Sequence, residues 1–167
     1  MSAPADIPVP FAEARAFVRP EWIDYNGHMN VGYFSVVFDV AADAFLEFLG
    51  FTQPFRKQNG STTFALEQHL HFLREVNEGD ALRFEARLLD FDAKRFHFYQ
   101  EMFRVGDDRP AASCEGVSAH VSTATRKTAA MPQPLLERLA AIKQAHAALA
   151  RPWRIGHVIS VQPPARR

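Results

Sequence analysis

Only one cysteine, Cys114, stands among the 167 residues. A lone thiol cannot close an internal disulfide, which excludes the small scaffolds that depend on such cross-links. Apart from Glu115 its neighbours are small or apolar, and a free cysteine in that company behaves as a buried hydrophobe. Long apolar runs are missing as well, since no stretch approaches the roughly 20 residues that a membrane-spanning helix needs. The opening residues, MSAPADIPVP, carry no basic segment leading into an apolar one, so the expectation is a soluble protein of the cytoplasm. Nor is there an excess of charge of one sign: 19 basic residues face 19 acidic ones. No global field draws the chain to nucleic acid or to an anionic membrane, and an anionic ligand must be held by local groups. Histidines number seven, with His69 and His71 at strand spacing, but no Cys/His cluster or His-Glu-x-x-His helix accompanies them. Neither a metal nor another cofactor is expected.

What remains is an ordinary globular composition, 47% hydrophobic and 23% charged, of a size that fits one domain. We place that domain at residues 1–150 and treat 151–167, rich in Pro and Arg, as a tail without assigned function. The pattern predicts a first strand over Phe11 to Arg19, ending at Pro20. Residues 22 to 30 read WIDYNGHMN, where Asn-Gly among polar neighbours signals a tight turn. A long helix follows, with Val31, Phe34, Val37, Phe38, Ala41, Phe45 and Phe48 on one face and Ser35, Asp39, Asp43 and Glu47 on the other. Asn30 is its expected N-cap and Gly50 its stop.

Strands are expected at Thr62 to Leu73, Leu82 to Leu89, Arg95 to Val105 and Ala111 to Thr123, separated by turn-forming residues. In the first of these, alternation puts Phe64, Leu66, Leu70 and Phe72 on one face and Glu67, His69 and His71 on the other. Leu135, Leu136, Leu139, Ile142 and Leu149 predict a C-terminal amphipathic helix closed by Pro152. The fold class is therefore α+β, a long helix that a sheet must cover.

The string Asp24-Tyr25-Asn26-Gly27-His28-Met29-Asn30 before a Phe-rich helix resembles the turn of hotdog-fold thioesterases of the 4-hydroxybenzoyl-CoA thioesterase type. The element order agrees over residues 11 to 130. The stretches LEQHLHFLREVNEGD, LLDFDAKRFHFYQEM and HVSTATRKTAAMP are similar to the subgroup containing betainyl-CoA thioesterases of carnitine breakdown. The resemblance implies a curved antiparallel sheet wrapped around a central helix and an acyl-CoA substrate. It further implies a pocket shared between two subunits of a homodimer or of a dimer of dimers.

Thioester hydrolysis needs a carboxylate that activates water or attacks the carbonyl, and donors where the oxyanion develops. Asp24 is the candidate carboxylate. The first amides of a helix lack intrahelical partners and sit in positive potential, so those near Asn30 and Val31 are the candidate oxyanion donors. Gly27 would let the loop approach the thioester. Asn26 and His28 are candidates for substrate contact or support, as are Glu67 and His69 on the polar face of their strand. Trp22, Tyr25 and Tyr33 offer aromatic faces to a quaternary ammonium group, or pack in the core. Lys94 with Arg95 and Arg126 with Lys127, at strand ends, are candidates for the CoA phosphates.

Three other readings remain open at this point. Asn26-x-His28-x-Asn30 also resembles the Asn-x-His-x-Asn string of plant-type acyl-ACP thioesterases, which keeps a carrier-protein substrate in view. A hotdog enoyl-CoA hydratase begins its motif Asp-x-Asn, but carries its His one position beyond His28 and usually has Pro in place of Gly27. A non-catalytic acyl-CoA-binding protein is the third. Asp24 itself has a plain alternative role, that of an Asx-turn residue bonding its own loop amides.

Overall fold

The computed structural model describes residues 7–152 and 154–161. The expectations for residues 1–6, for Trp153 and for 162–167 lie outside the described residues. Five strands, β1 (Arg15–Phe17), β2 (Ser61–Phe72), β3 (Ala81–Phe91), β4 (Arg95–Arg104) and β5 (Ala112–Ser122), form one antiparallel sheet in the order β1-β3-β4-β5-β2. The helices are α1 (Val31–Leu49), α2 (Gln53–Asn59) and α3 (Gln133–His146). The sheet curls around α1 as a half-barrel, which is the hotdog fold. No described helix is long and apolar enough to cross a membrane.

Helix α1 forms where its caps and periodicity dictate. The side chain of Asn30 accepts a hydrogen bond from the Gly32 amide, and Gly50 ends the helix in the left-handed region at φ +109°. Phe34, Val37, Phe38, Ala41, Phe45 and Leu49 are buried along one face, and each of the larger side chains contributes about 1.5–3 kcal/mol on burial. They meet the inner face of the sheet, where Phe84, Met102, Ala112 and Cys114 pack under the first half of the helix and Leu88, Phe96 and Phe98 under the second. Burial, and after it the neighbouring Glu115 carboxylate, pushes the Cys114 thiol up to about 12, which leaves it a core residue rather than a nucleophile. Gly116 belongs to this face because the Phe98 ring lies over it: a Cβ there would come within 2.6 Å of the ring.

The four later strands fall within two residues of their expected ends, while β1 is shorter than expected and Phe11 joins the sheet through an isolated bridge to Ala86. Helix α3 ends at His146, short of the expected Leu149. There the buried imidazole accepts the Leu88 amide at Nδ1 (2.9 Å) and donates from Nε2 to the Pro8 carbonyl (3.0 Å). Helix α2 was not anticipated. It buries no residue fully, so it has no strong periodicity, but Thr52 caps it and Gly60 closes it in the left-handed region.

The faces of β2 correct the expected alternation. The ladder with β5 shifts between Ala65 and Glu67, so Leu66 is an extra residue and the parity of the strand changes there. Phe64 is opposite Ala119 and His69 opposite Glu115, which puts Phe64 on the outer face with Glu67, His69 and His71. Leu70 and Phe72 keep the inner face, and Phe72 meets Phe34 of α1 edge-on. The tail crosses that outer face: the Gly156 amide donates to Glu115 at 2.7 Å, and Arg154 lies 3.7 Å from Glu101.

Candidate active site

The segment 22–30 is a compact hairpin. Ile23 and Met29 form an antiparallel bridge, the Asp24 amide donates to the His28 carbonyl, and the Gly27 amide to the Asp24 carbonyl. Gly27 has φ +83°, a region that side chains disfavour, so the tight turn requires glycine here. Two backbone bonds dock the hairpin: the Asn30 amide donates to the Trp22 carbonyl at 2.9 Å, and the Met29 amide to Val76 at 2.8 Å. The second brings residues 73–76, which follow β2, alongside the start of α1.

Between them lies a cavity of about 570 Å³. Asp24, Tyr25, Asn26, His28, Asn30 and Val31 line one side, and Phe72, Leu73, Arg74 and Glu75 the other, with Met29 and Phe34 completing it. The two oxygens of Asp24 have different partners. Oδ1 accepts the Asn26 amide at 2.8 Å, and Oδ2 accepts from the Asn30 side-chain amide at 3.3 Å. The Asx-turn role is thus occupied by one oxygen while the other faces the helix N-terminus.

In the first turn of α1 the amides are not equivalent. The Asn30 amide is spent on Trp22, the Gly32 amide on the Asn30 side chain, and the Tyr33 amide on the Asn30 carbonyl. The Val31 amide has no protein acceptor among the described residues, so of the two amides proposed from sequence it is the one free to receive charge.

The remaining sequence candidates separate by position. Tyr25 is 96% exposed at the hairpin tip, beside Asn26. His28 lines the cavity with Nε2 3.7 Å from Glu75. Trp22 and Tyr33 stack on each other with ring centroids 5.5 Å apart, Arg19 lies over the Trp22 ring, and neither aromatic lines the cavity. Glu67 and His69 stand on the outer face of the sheet, around a second cavity of about 340 Å³ with His97, Glu115 and His157. The rings of His69, His71 and His157 lie within 4.6–6.2 Å of one another, His69 stacking on both of the others. No group of three or more metal-ligating side chains among the described residues is placed to hold a metal ion.

Lys94 and Arg95 lie at the start of β4, where Arg95 pairs with Asp92 at 2.6 Å, and Arg126 packs over the Phe64 ring. Both pairs belong to the end of the sheet opposite Phe72. Phe34, Phe72, Arg74 and Glu75 were not singled out from sequence as site residues. The pattern marks Phe34 and Phe72 only as apolar positions, and the contact that brings Glu75 to His28 depends on long-range backbone pairing.

Residues 18–139 match the model of the thioesterase-like superfamily. A betainyl-CoA thioesterase of Pseudomonas aeruginosa is 37% identical over 146 residues, covering 87% of this chain and 92% of that protein. An L-carnitine dehydrogenase/betainyl-CoA thioesterase of Ruegeria pomeroyi is 33% identical over 93% of this chain, which spans only 31% of that longer protein. Among solved structures, a Staphylococcus aureus protein in complex with CoA superposes with a TM-score of 0.84 at 25% identity, covering 96% of this chain and all of that one.

Proposed function

This chain belongs to the thioesterase-like superfamily, and from that footing we propose that it hydrolyses the thioester of a small acyl-CoA, betainyl-CoA foremost, to the free acid and CoA. The observation that carries the reading is the single cavity holding both the Asp24 carboxylate and the start of α1. Asp24 supplies the carboxylate that activates water or adds to the thioester carbonyl. The Val31 amide, at the positive end of the helix dipole, receives the developing oxyanion. Asn30 orients Asp24, and the Gly27 turn holds the hairpin against the acyl group.

The protein acts as a homodimer or a dimer of dimers. Strand β2 is a long sheet edge whose outer backbone groups need a partner. Antiparallel pairing with β2 of a second copy would complete it. Phe64 and Phe72 are about 25 Å apart at the rise of a strand, and this pairing sets the Arg126–Lys127 end of one copy beside the Asp24 end of the other. Those two cations, with Lys94 and Arg95, would then be placed for the CoA phosphates. The reduced, buried Cys114 fits action in the cytoplasm.

The test is thiol release across short-chain, aromatic and quaternary-ammonium acyl-CoAs, with the matching acyl carrier protein thioesters alongside. Turnover is expected on the CoA esters, highest with betainyl-CoA. Stoichiometric binding of CoA esters without release of thiol would reject an enzyme in favour of a binding protein.

A further inference from the structure

Building on the proposed hydrolysis of betainyl-CoA, we infer that Phe72 and Glu75, backed by Phe34, form the part of the site that selects a quaternary ammonium group. The small size of that acyl group limits which side chains can reach its cation. Its nitrogen is joined to the carbonyl carbon through one methylene, the same N–C–C geometry as an amino-acid backbone, so the two are about 2.5 Å apart. A carbonyl held at Asp24 and the Val31 amide therefore puts the cation in the same cavity, and only groups lining that cavity can recognise it.

A trimethylammonium group has no N–H to donate. It is recognised by aromatic faces and carboxylates, and its methyl shell suits apolar walls. The cavity supplies each of these. Phe34, one turn into α1 from Val31 and 5% exposed, forms a floor. Phe72, from the end of β2 and 49% exposed, stands edge-to-face against it at 5.2 Å and 83°. The Phe34 contact fixes the Phe72 ring while leaving much of it bare toward the cavity. Glu75, beside His28, adds a carboxylate across from Asp24. The one arginine of the lining, Arg74, is paired with Asp107 at 3.1 Å, which reduces its repulsion of a bound cation.

Of the aromatics marked from sequence, Tyr25 lines the cavity but stands 96% exposed at the hairpin tip with no ring contact among the described residues to hold its face, and the other two are engaged elsewhere. Trp22 and Tyr33 are stacked on one another, and Arg19 covers the Trp22 ring. Selectivity is thus assigned to residues contributed by β2 and the segment after it rather than by the reactive hairpin.

The decisive comparison is between betainyl-CoA and 3,3-dimethylbutanoyl-CoA, in which a neutral carbon replaces the nitrogen at the same size and shape. The intact protein is expected to favour the cation in kcat/KM by at least about tenfold. In Phe72→Leu and in Glu75→Gln that ratio is expected to fall several-fold toward unity. A residue that only supports the fold would lower both substrates together and leave the ratio in place. Phe72→Tyr, which keeps the ring, should retain the ratio. A wild-type ratio at or below one overturns the inference while leaving the thioesterase reading intact, and so does a high ratio that neither Phe72→Leu nor Glu75→Gln changes. Failure to release thiol from either ester or from any other acyl-CoA would instead remove the underlying reading, and the inference with it.

Discussion

Asn30 ties the Asp24 carboxylate to the helix that follows it: its Nδ2 donates to Asp24 Oδ2 at 3.3 Å while its own Oδ1 accepts the Gly32 amide at 2.9 Å. One planar amide thus serves as both N-cap and orienting group, with its donor and acceptor ends committed to different partners. The two tasks can be separated by substitution. Asn30→Ala removes both and is expected to lower stability by about 1 kcal/mol, the usual scale of a lost cap, together with activity. Asn30→Ser keeps an oxygen for the Gly32 amide but is too short to donate to Asp24. It should preserve the thermal midpoint better than alanine while losing activity to the same extent, since both variants leave the Asp24 carboxylate without its orienting donor. Thermal melts and kinetics on the two variants check this, and equal activity losses without a difference in stability would contradict it.

Asp24→Asn is expected to reduce turnover by at least about 100-fold, the scale of acid–base catalysis, with the fold retained. The new amide can still accept the Asn26 N–H through its oxygen. Its NH₂ then faces the NH₂ of Asn30, leaving donors opposed at a cost of about 1 kcal/mol. Near-full activity in this variant would leave Asp24 with the turn-forming role alone.

A stability prediction follows from the ring over Gly116. Adding a methyl group there meets the Phe98 ring at 2.6 Å, and Phe98 is itself packed against Phe45 and Phe96. Gly116→Ala should cost about 1–3 kcal/mol, as overpacking does. Pairing it with Phe98→Leu should recover part of that loss, read from denaturant midpoints of the single and double variants.

Acid should weaken the fold through His146. Burial, the largest influence, lowers its proton affinity below that of an ordinary histidine; the Pro8 carbonyl opposes this and Arg87 adds to it. The unfolded chain therefore takes up the proton first. The stability that depends on the neutral ring is fully present above the ordinary histidine value, about 6.5, and declines as pH falls through it. Protonation would also take away the lone pair that accepts the Leu88 amide. The thermal midpoint should drop between about pH 7 and 5, and His146→Gln, which can accept and donate at comparable positions, should flatten that slope. His71 is lowered in the same direction, first by burial and then by His69, His157 and Arg154, so some slope should persist in the variant.

The parts of this molecule that could be read from sequence are those that local physics determines. Asn30, Gly50 and the spacing of the phenylalanines between them specify α1 without reference to the rest of the chain, and the Asp24–Gly27 turn is equally local. The aromatic lining was not legible because Phe34 and Phe72 meet only after the sheet has folded over the helix. Helix α2 has a Thr52 cap and a Gly60 stop, but with no fully buried residue it lacks the apolar period by which a helix is read from sequence. The docking of Gly156 on Glu115 joins positions far apart in the chain, and no local pattern announces it.

The offset at Leu66 bears on how this strand tolerates insertions and deletions over evolutionary time. Ala65 and Glu67 are opposite consecutive residues of β5, Ser118 and Val117, so losing Leu66 would close the strand without moving any other pairing. Losing a residue between Glu67 and Phe72 would instead move the residues between it and the bulge by one place, turning those side chains to the opposite face of the sheet. When related chains are aligned, a one-residue gap in this strand is therefore expected opposite Leu66, and the segment from Glu67 to Phe72 should run uninterrupted.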